Sequence, residues 1–356
     1  MLNSLLSDDE VRARFERTIA ILRDSEARVT AEAIYSLSDL YGERLQAFRG
    51  VWAEIPVERR RTLITRLVET AETNFELDFS AIIHAALHDD DSEVRLAAIE
   101  GVLEESPHTI IERLITLAQS DPFAQVRASA AKTLGMFVLR GELGELPQAL
   151  NTRLQDAMWA LYTDFEEDLD VRRRALEALG NCGREGVQEL IHEAYYADDL
   201  LMRVSAIFAM GRSCDAMWQP MVLDELTSEY PEMRYEAARA AGELELRSAL
   251  SHLAELAYEE DREIQEMAIW ALGEIGGNEA VRILNDLAAL AEENEDEELA
   301  DAVEEAQGAA LLGGDDLPLF DFSEYADGLT EEHTEYLSLE DLRGEANEDT
   351  DPDDEA

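Results

Sequence analysis

Six stretches of this chain can be laid one on another: VRLAAIEGVL from Val94, VRASAAKTLG from Val126, VRRRALEALG from Val171, MRVSAIFAMG from Met202, MRYEAARAAG from Met233 and IQEMAIWALG from Ile264. The last four begin 31 residues apart, and self-similarity at a period between about 20 and 50 residues points to a solenoid. Counting from each first residue, apolar or small side chains recur at offsets 0, +4, +5, +7 and +8, the stripe of an amphipathic helix. Offset +4 is alanine in all six copies, so a neighbouring helix is expected to come close. Five copies carry glycine after +8, namely Gly135, Gly180, Gly211, Gly242 and Gly273, read as helix C-terminal turns of positive φ.

Ahead of the copies lie second amphipathic stretches: IIERLITLAQSD, VQELIHEAYYADD, PMVLDELTSEYPE and LSHLAELAYEEDRE. Their closing Asp, Glu, Ser and Pro stop one helix and cap the next. Each unit is therefore a helical hairpin whose apolar face is covered only when hairpins stack. The gap of 45 residues between Val126 and Val171 holds FVLRGELGELPQALN, read as an insertion that lengthens one loop or helix.

A first helix, an acidic turn and a second helix of the form D-x-x-x-x-V-R-x-x-A-x-x-A-L-G resembles the HEAT repeat, in the short form of phycobilisome-lyase-like proteins. Asp121, Val126, Arg127, Ala130, Leu134 and Gly135 match it best, and the resemblance runs over residues 77–310. It implies an all-α, right-handed α-solenoid whose second helices line the concave face. Gln265 after the sixth anchor, and Met202 and Met233 in place of valine, depart from the pattern.

The expected division is three-fold. Residues 1–76 form atypical capping repeats, with helices at DDEVRARFERTIAILRD and, opening on Pro56 as first helical residue, at PVERRRTLITRLVETAE. Residues 77–312 form the repeat solenoid, closed by LAALAEENEDEELADAVEEAQGAALL. Residues 313–356 hold seventeen acids and one base and are expected to be a disordered acidic tail. Within it, DDLPLFDFSEYADGL at 315–329 sets Leu317, Leu319, Phe320, Phe322 and Tyr325 among acids, as in segments that fold onto a partner.

Charge removes whole classes of function. Acids number 81 against 29 bases, for a net charge of -52. Such a chain repels phosphate backbones and anionic lipid, so nucleic acid and membrane are not expected partners. Lys132 is the only lysine, in keeping with a GC-rich genome or a salty cytoplasm. Two cysteines, Cys182 and Cys214, are too few for a disulfide framework and are read as small buried thiols. With no basic leader and no apolar run of spanning length, the expectation is a soluble cytoplasmic protein.

The functional reading rests on offsets +2, +3 and +6, expected to face outward on the concave side. They bring together Arg173, Arg174, Phe208, Tyr235, Arg239 and Trp270, the mixture of aromatics and arginine enriched at interface hot spots. The expected partner is a protein or peptide segment with apolar and acidic residues, and the chain's own tail, bound in cis, is a candidate occupant. The arginines at +1 (Arg95, Arg127, Arg172, Arg203, Arg234) are read as a structural ladder of weak ion pairs with turn acids such as Asp89 and Asp121.

No catalytic residue, cofactor or metal is assigned from the sequence. His84 and His88 are spaced to share a helix face beside Asp89 to Asp91, but HAALH lacks the glutamate of the zinc-protease motif. Among the His-Glu pairs that HEAT-like di-iron hydroxylases use, only His192-Glu193 is present. The expected function is a non-catalytic scaffold or adaptor; the alternative is an accessory enzyme or cofactor-attachment protein of the bilin-lyase kind.

Overall fold

The computed structural model describes residues 8–313. Among them are eighteen α-helices and no strand, joined by short turns into antiparallel hairpins. The chain opens with α1 (Asp8–Arg23) and the short α2 (Ala31–Tyr35), then pairs α3 (Gly42–Val51) with α4 (Val57–Thr73) and α5 (Ser80–Ala86) with α6 (Ser92–Glu100). The hairpins that follow are α7 (His108–Ser120) with α8 (Ala124–Glu142), α9 (Gln148–Thr163) with α10 (Leu169–Leu179), and α11 (Val187–Tyr195) with α12 (Leu200–Arg212). The last three are α13 (Gln219–Glu225) with α14 (Pro231–Glu243), α15 (Leu250–Leu256) with α16 (Arg262–Ile275), and α17 (Gly277–Asn294) with α18 (Glu297–Gly313). Pro56 stands one residue earlier than expected, as the N-cap of α4.

The repeated offsets do what their spacing requires. All six anchors and all six +4 alanines are buried, from Val94 and Ala98 to Ile264 and Ala268, in a core that runs unbroken from Phe15 to Ala310. Asp91, Asp168, Asp199 and Asp261 each take a backbone N–H of the helix they precede, which satisfies donors that no intrahelical carbonyl can reach. The insertion lengthens two helices rather than one: α8 has 19 residues and α9 has 16.

The glycines after +8 do not serve the purpose expected of them. Gly135, Gly211, Gly242 and Gly273 lie within helices and Gly180 ends one in right-handed conformation. They are small because the second helix of the next repeat leaves no room. A Cβ on Gly180 would stand 2.8 Å from Ala209 Cα, on Gly211 2.9 Å from Ala240 Cα, on Gly242 3.0 Å from Ala271 Cα and on Gly273 3.0 Å from Ala306 Cα. Each +9 glycine thus receives the +7 alanine of the following repeat. The positive φ falls three residues later, at Cys214, Glu245 and Gly276. Second helices pack on second helices all along the stack, from α4 on α6 to α16 on α18, more closely than first helices pack on first. The stack therefore bends toward the second helices, which line its inner side.

Candidate functional site on the inner side of the stack

Helical geometry carries the inward row along offsets +3 and +6 and on to +10, one turn further than the sequence reading followed it. From α10 to α16 the row reads Arg174, Glu177, Asn181; Ser205, Phe208, Arg212; Glu236, Arg239, Glu243; Met267, Trp270, Glu274. Offset +2 is not outward in the middle of the stack. Ala128, Arg173 and Val204 are all buried, because the tight stacking turns that position onto the next second helix.

Arg173, expected to meet a partner, is consequently a packing residue at 8% exposure. Its Nε donates to Leu201 O at 2.9 Å and to Ser205 Oγ at 3.1 Å, and its remaining charge meets Asp170 at 3.1 Å. Ser205 Oγ in turn donates a hydrogen bond to Glu177 Oε1 at 2.6 Å, and Arg174 donates to the other oxygen at 2.8 Å. Further along, Arg239 donates to Glu236 at 2.7 Å, to Glu243 at 2.5 Å and to Phe208 O at 3.1 Å. Its guanidinium lies 3.9 Å from the centre of the Phe208 ring, a cation–π stack. Arg212 ties the two halves together, donating to Asn181 Oδ1 at 3.0 Å and to Glu243 at 3.2 Å.

The result is a ribbon of four guanidiniums (Arg173, Arg174, Arg212, Arg239) against four carboxylates (Asp170, Glu177, Glu236, Glu243). This hydrogen-bonded network is balanced in itself within a chain of net charge -52, and the exposed Glu274 of the row stands outside it. Burial pushes the Glu236 carboxyl above its ordinary value, with Arg239 opposing and Glu177 and Glu243 adding to the rise. Glu243 Oε2 is buried without a hydrogen-bond partner. Phe208 and Tyr235 are half-buried and Trp270 is 37% exposed, so these rings cover the network while keeping a face toward solvent. Beside Tyr235 and Glu236 opens a cleft of about 350 Å³, completed by Val204, Pro231 and Ile264 and by the acids Glu232, Asp261 and Glu263. Sequence reasoning missed Glu177, Glu236, Asn181, Arg212 and Glu243; extending the +3 and +6 row by one turn finds three of them.

Four of the five +1 arginines form the expected ladder, with each rung running to the next repeat, and Arg172 forms none. Arg95 grips Asp121 through two bonds of 2.8 and 2.9 Å, Arg127 grips Glu167, Arg234 grips Glu259, and Arg203 meets Glu225 at 3.3 Å. The Arg95–Asp121 rung is buried rather than exposed. Where Gln265 departs from the pattern, Arg262 takes over and holds Asp296 at 2.7 Å.

The remaining chemistry-bearing groups do not converge. His84 lies on α5 with Nε2 at 3.3 Å from Ser106 Oγ, while His88 falls in the turn after the helix ends, so the two do not share a helix face. Burial lowers the pKa of both. His192 stacks edge-on against Tyr196. Cys182 is buried but Cys214 is exposed, against the expectation of two buried thiols. Among the described residues no three His, Cys, Asp or Glu side chains are grouped to hold a metal ion, and no helix is long and apolar enough to cross a membrane. Leu317, Leu319, Phe320, Phe322 and Tyr325 lie outside the described residues.

Residues 219–306, spanning α13 to α18, match the family of HEAT repeats. With the stacked hairpins already described, that decides the family of this segment. Residues 219–306 are HEAT repeats. One curated relative, human deoxyhypusine hydroxylase, is 33% identical over 89 residues, covering 24% of this chain and 30% of its own length. The chain thus matches less than a third of that enzyme. Among solved structures, Kap95p, from a study of its binding to RanGDP, is 14% identical with a TM-score of 0.47, over 90% of this chain and 47% of its own. The CpcE and CpcF complex of phycocyanin lyase from Nostoc is 17% identical with a TM-score of 0.44, over 65% and 94%. At such values these two likenesses carry no argument about what the solenoid here does.

Proposed function

We propose that this solenoid is a non-catalytic scaffold that holds a protein segment along the inner ribbon between α10 and α16. The observation that carries the reading is the ribbon itself. Its hydrogen-bonded network is balanced in charge and faced with Phe208, Tyr235, Met267 and Trp270. Its arginines and carboxylates are already fixed by one another, so little side-chain freedom is lost when a partner lands. The aromatic faces supply contact area and Arg174, half-exposed beside Glu177, supplies a cation. A segment alternating apolar and acidic residues is the complement.

The tail fits that description, and chain length limits where it can bind in cis. Leu317 to Tyr325 lie four to twelve residues beyond Gly313, a reach of about 14–40 Å at roughly 3.4 Å per residue. Each step between stacked second helices is about 8–10 Å. Trp270 and Tyr235 are within that reach, whereas Arg174, four steps from α18, is at its limit. A tail bound in cis therefore covers the C-terminal half of the ribbon and leaves α10 and α12 free.

The test is quantitative capture from native lysate by the full chain, by a chain ending at Leu312, and by a Tyr235→Ala, Trp270→Ala variant. A partner lost from the double variant and enriched on the shortened chain is the expected outcome. Equal capture by all three would remove both the ribbon and the tail from the account.

A further inference from the structure

At the other end of the stack, the loop between α1 and α2 and the first turns of α4 enclose a cleft of about 350 Å³ lined by Ser25, Ala27, Arg28, Val29, Pro56, Glu58, Arg59, Thr62, Leu63 and Arg66. Three of the 29 bases of the chain converge there. They differ from the arginines of the ribbon, and from those of the ladder other than Arg172, in one respect. Among the described residues, none of the three has a carboxylate partner, although acids outnumber bases 81 to 29.

Arg59 sits at the floor, and its place is fixed. It donates to Ile21 O at 3.3 Å and to Ser25 O and Ala27 O at 2.7 Å each, closing the C-terminal end of α1, where a cation is favoured by the helix dipole. All three acceptors are carbonyls, so none of these bonds goes to a carboxylate. Arg28 and Arg66 are exposed, and their guanidiniums have no hydrogen-bond or ion-pair partner among the described residues. The one acid of the lining, Glu58, is drawn to Arg61 at 3.4 Å. The lining side chains, three guanidiniums and one carboxylate, sum to +2, with Asp24 and Glu26 exposed beside them on the same loop.

We infer that this cleft binds a phosphate monoester, the phosphate taken between Arg28 and Arg66 above Arg59 and the esterified group resting on Ala27, Val29, Pro56 and Leu63. A dianion matches the charge of the lining side chains. Guanidinium forks fit phosphate oxygens two at a time, and Ser25 and Thr62 line the same cleft, the Thr62 hydroxyl donating to Glu58 O at 2.9 Å. The volume is that of a small-ligand site. A polyanion such as nucleic acid does not fit, because the rest of so acidic a chain repels it beyond the cleft.

The experiment titrates the full chain with phenyl phosphate by calorimetry, alongside phenyl sulfate and benzoate as monoanions, and with a phosphoserine peptide and its unphosphorylated form. Phenyl phosphate is expected to saturate one site and to bind at least about tenfold more weakly to the Arg28→Ala, Arg66→Ala variant. Both side chains are exposed and unpaired, so that variant keeps the wild-type melting temperature, and Arg59 is left in place to close α1. Binding strengthens between pH 5 and 7.5, as the monoester loses its second proton near pH 6. Tighter binding of phenyl phosphate than of the phosphoserine peptide assigns the site to a free phosphorylated molecule, and the reverse order to a modified side chain of a partner. Equal affinity for phosphate and benzoate, no binding of either phosphate, or an unchanged affinity in the variant overturns the inference.

Discussion

Adding one methyl group to Gly180 or Gly242 puts the packing argument to its sharpest use. A Cβ there would lie 2.8 Å from Ala209 Cα or 3.0 Å from Ala271 Cα, contacts with backbone that only a separation of repeats can relieve. Gly180→Ala and Gly242→Ala are expected to destabilise the chain by about 1–3 kcal/mol in urea unfolding. Gly135→Ala, whose Cβ would meet Ala178 Cα at 3.5 Å, is expected to be neutral or to gain up to about 1 kcal/mol of helix propensity. Equal effects at the three positions would contradict the glycine ladder. A second prediction concerns protons. Because folding raises the Glu236 pKa above its ordinary 4.5, its contribution to stability is fully present below that value and is lost as pH rises through the raised one. Glu236→Gln should therefore gain on the wild type as pH rises above 4.5 and level off once the raised value is passed, whereas parallel stability curves would count against the buried carboxyl. Asp91 works in the opposite sense. Arg61 holds its carboxyl at about 2, so its contribution is present above pH 4 and is lost as pH falls toward 2. The buried offsets and the arginine signature were legible in the sequence, because a repeated spacing reports which face is covered. The fate of Arg173 was not, since its burial depends on how far the next helix advances.

At the scale of the hairpin, the ladder of +1 arginines shows one gap. Five residues before the anchors stand Asp89, Asp121, Glu166, Ala197, Ser228 and Glu259, and Arg172, whose rung would run to the turn at Ala197, has no carboxylate partner among the described residues. It donates instead to Tyr162 O at 3.0 Å and stacks 4.7 Å from the Phe165 ring. Ala197→Glu should complete the rung in the manner of Arg234 with Glu259 and add about 0.5–1 kcal/mol at low salt, read as a higher urea midpoint with an unchanged slope. No gain, or a gain that persists in an Arg172→Ala background, would show that the rung is not what was formed. The helices themselves were foreseen from capping acids and 3.6-residue periodicity. The insertion was foreseen only as an interruption, because both α8 and α9 carry continuous helical patterns through it and nothing local says which must stop.

Over the whole molecule, the charge of -52 makes the solenoid strain against itself in dilute salt, with the hydrogen-bonded network of the inner ribbon balanced in itself. Raising NaCl from about 0.05 M to about 1 M shortens the screening length from above 10 Å to about 3 Å. It should raise the melting temperature, since exposed repulsion is screened more than the buried rungs. A fall would mean that the ion pairs outweigh the repulsion. The acidity was plain in the composition, but its distribution was not, because residues 3, 6 and 10 of separate repeats become one surface only when the helices stack. The most direct measurement is capture of protein partners from native lysate by the full chain, by the Tyr235→Ala, Trp270→Ala variant, and by Phe165→Ala, Arg172→Ala at the outer turn edge. The account predicts a specific partner that survives the turn-edge substitutions and is lost with the ribbon pair while the fold persists. A partner retained by the ribbon variant would contradict it.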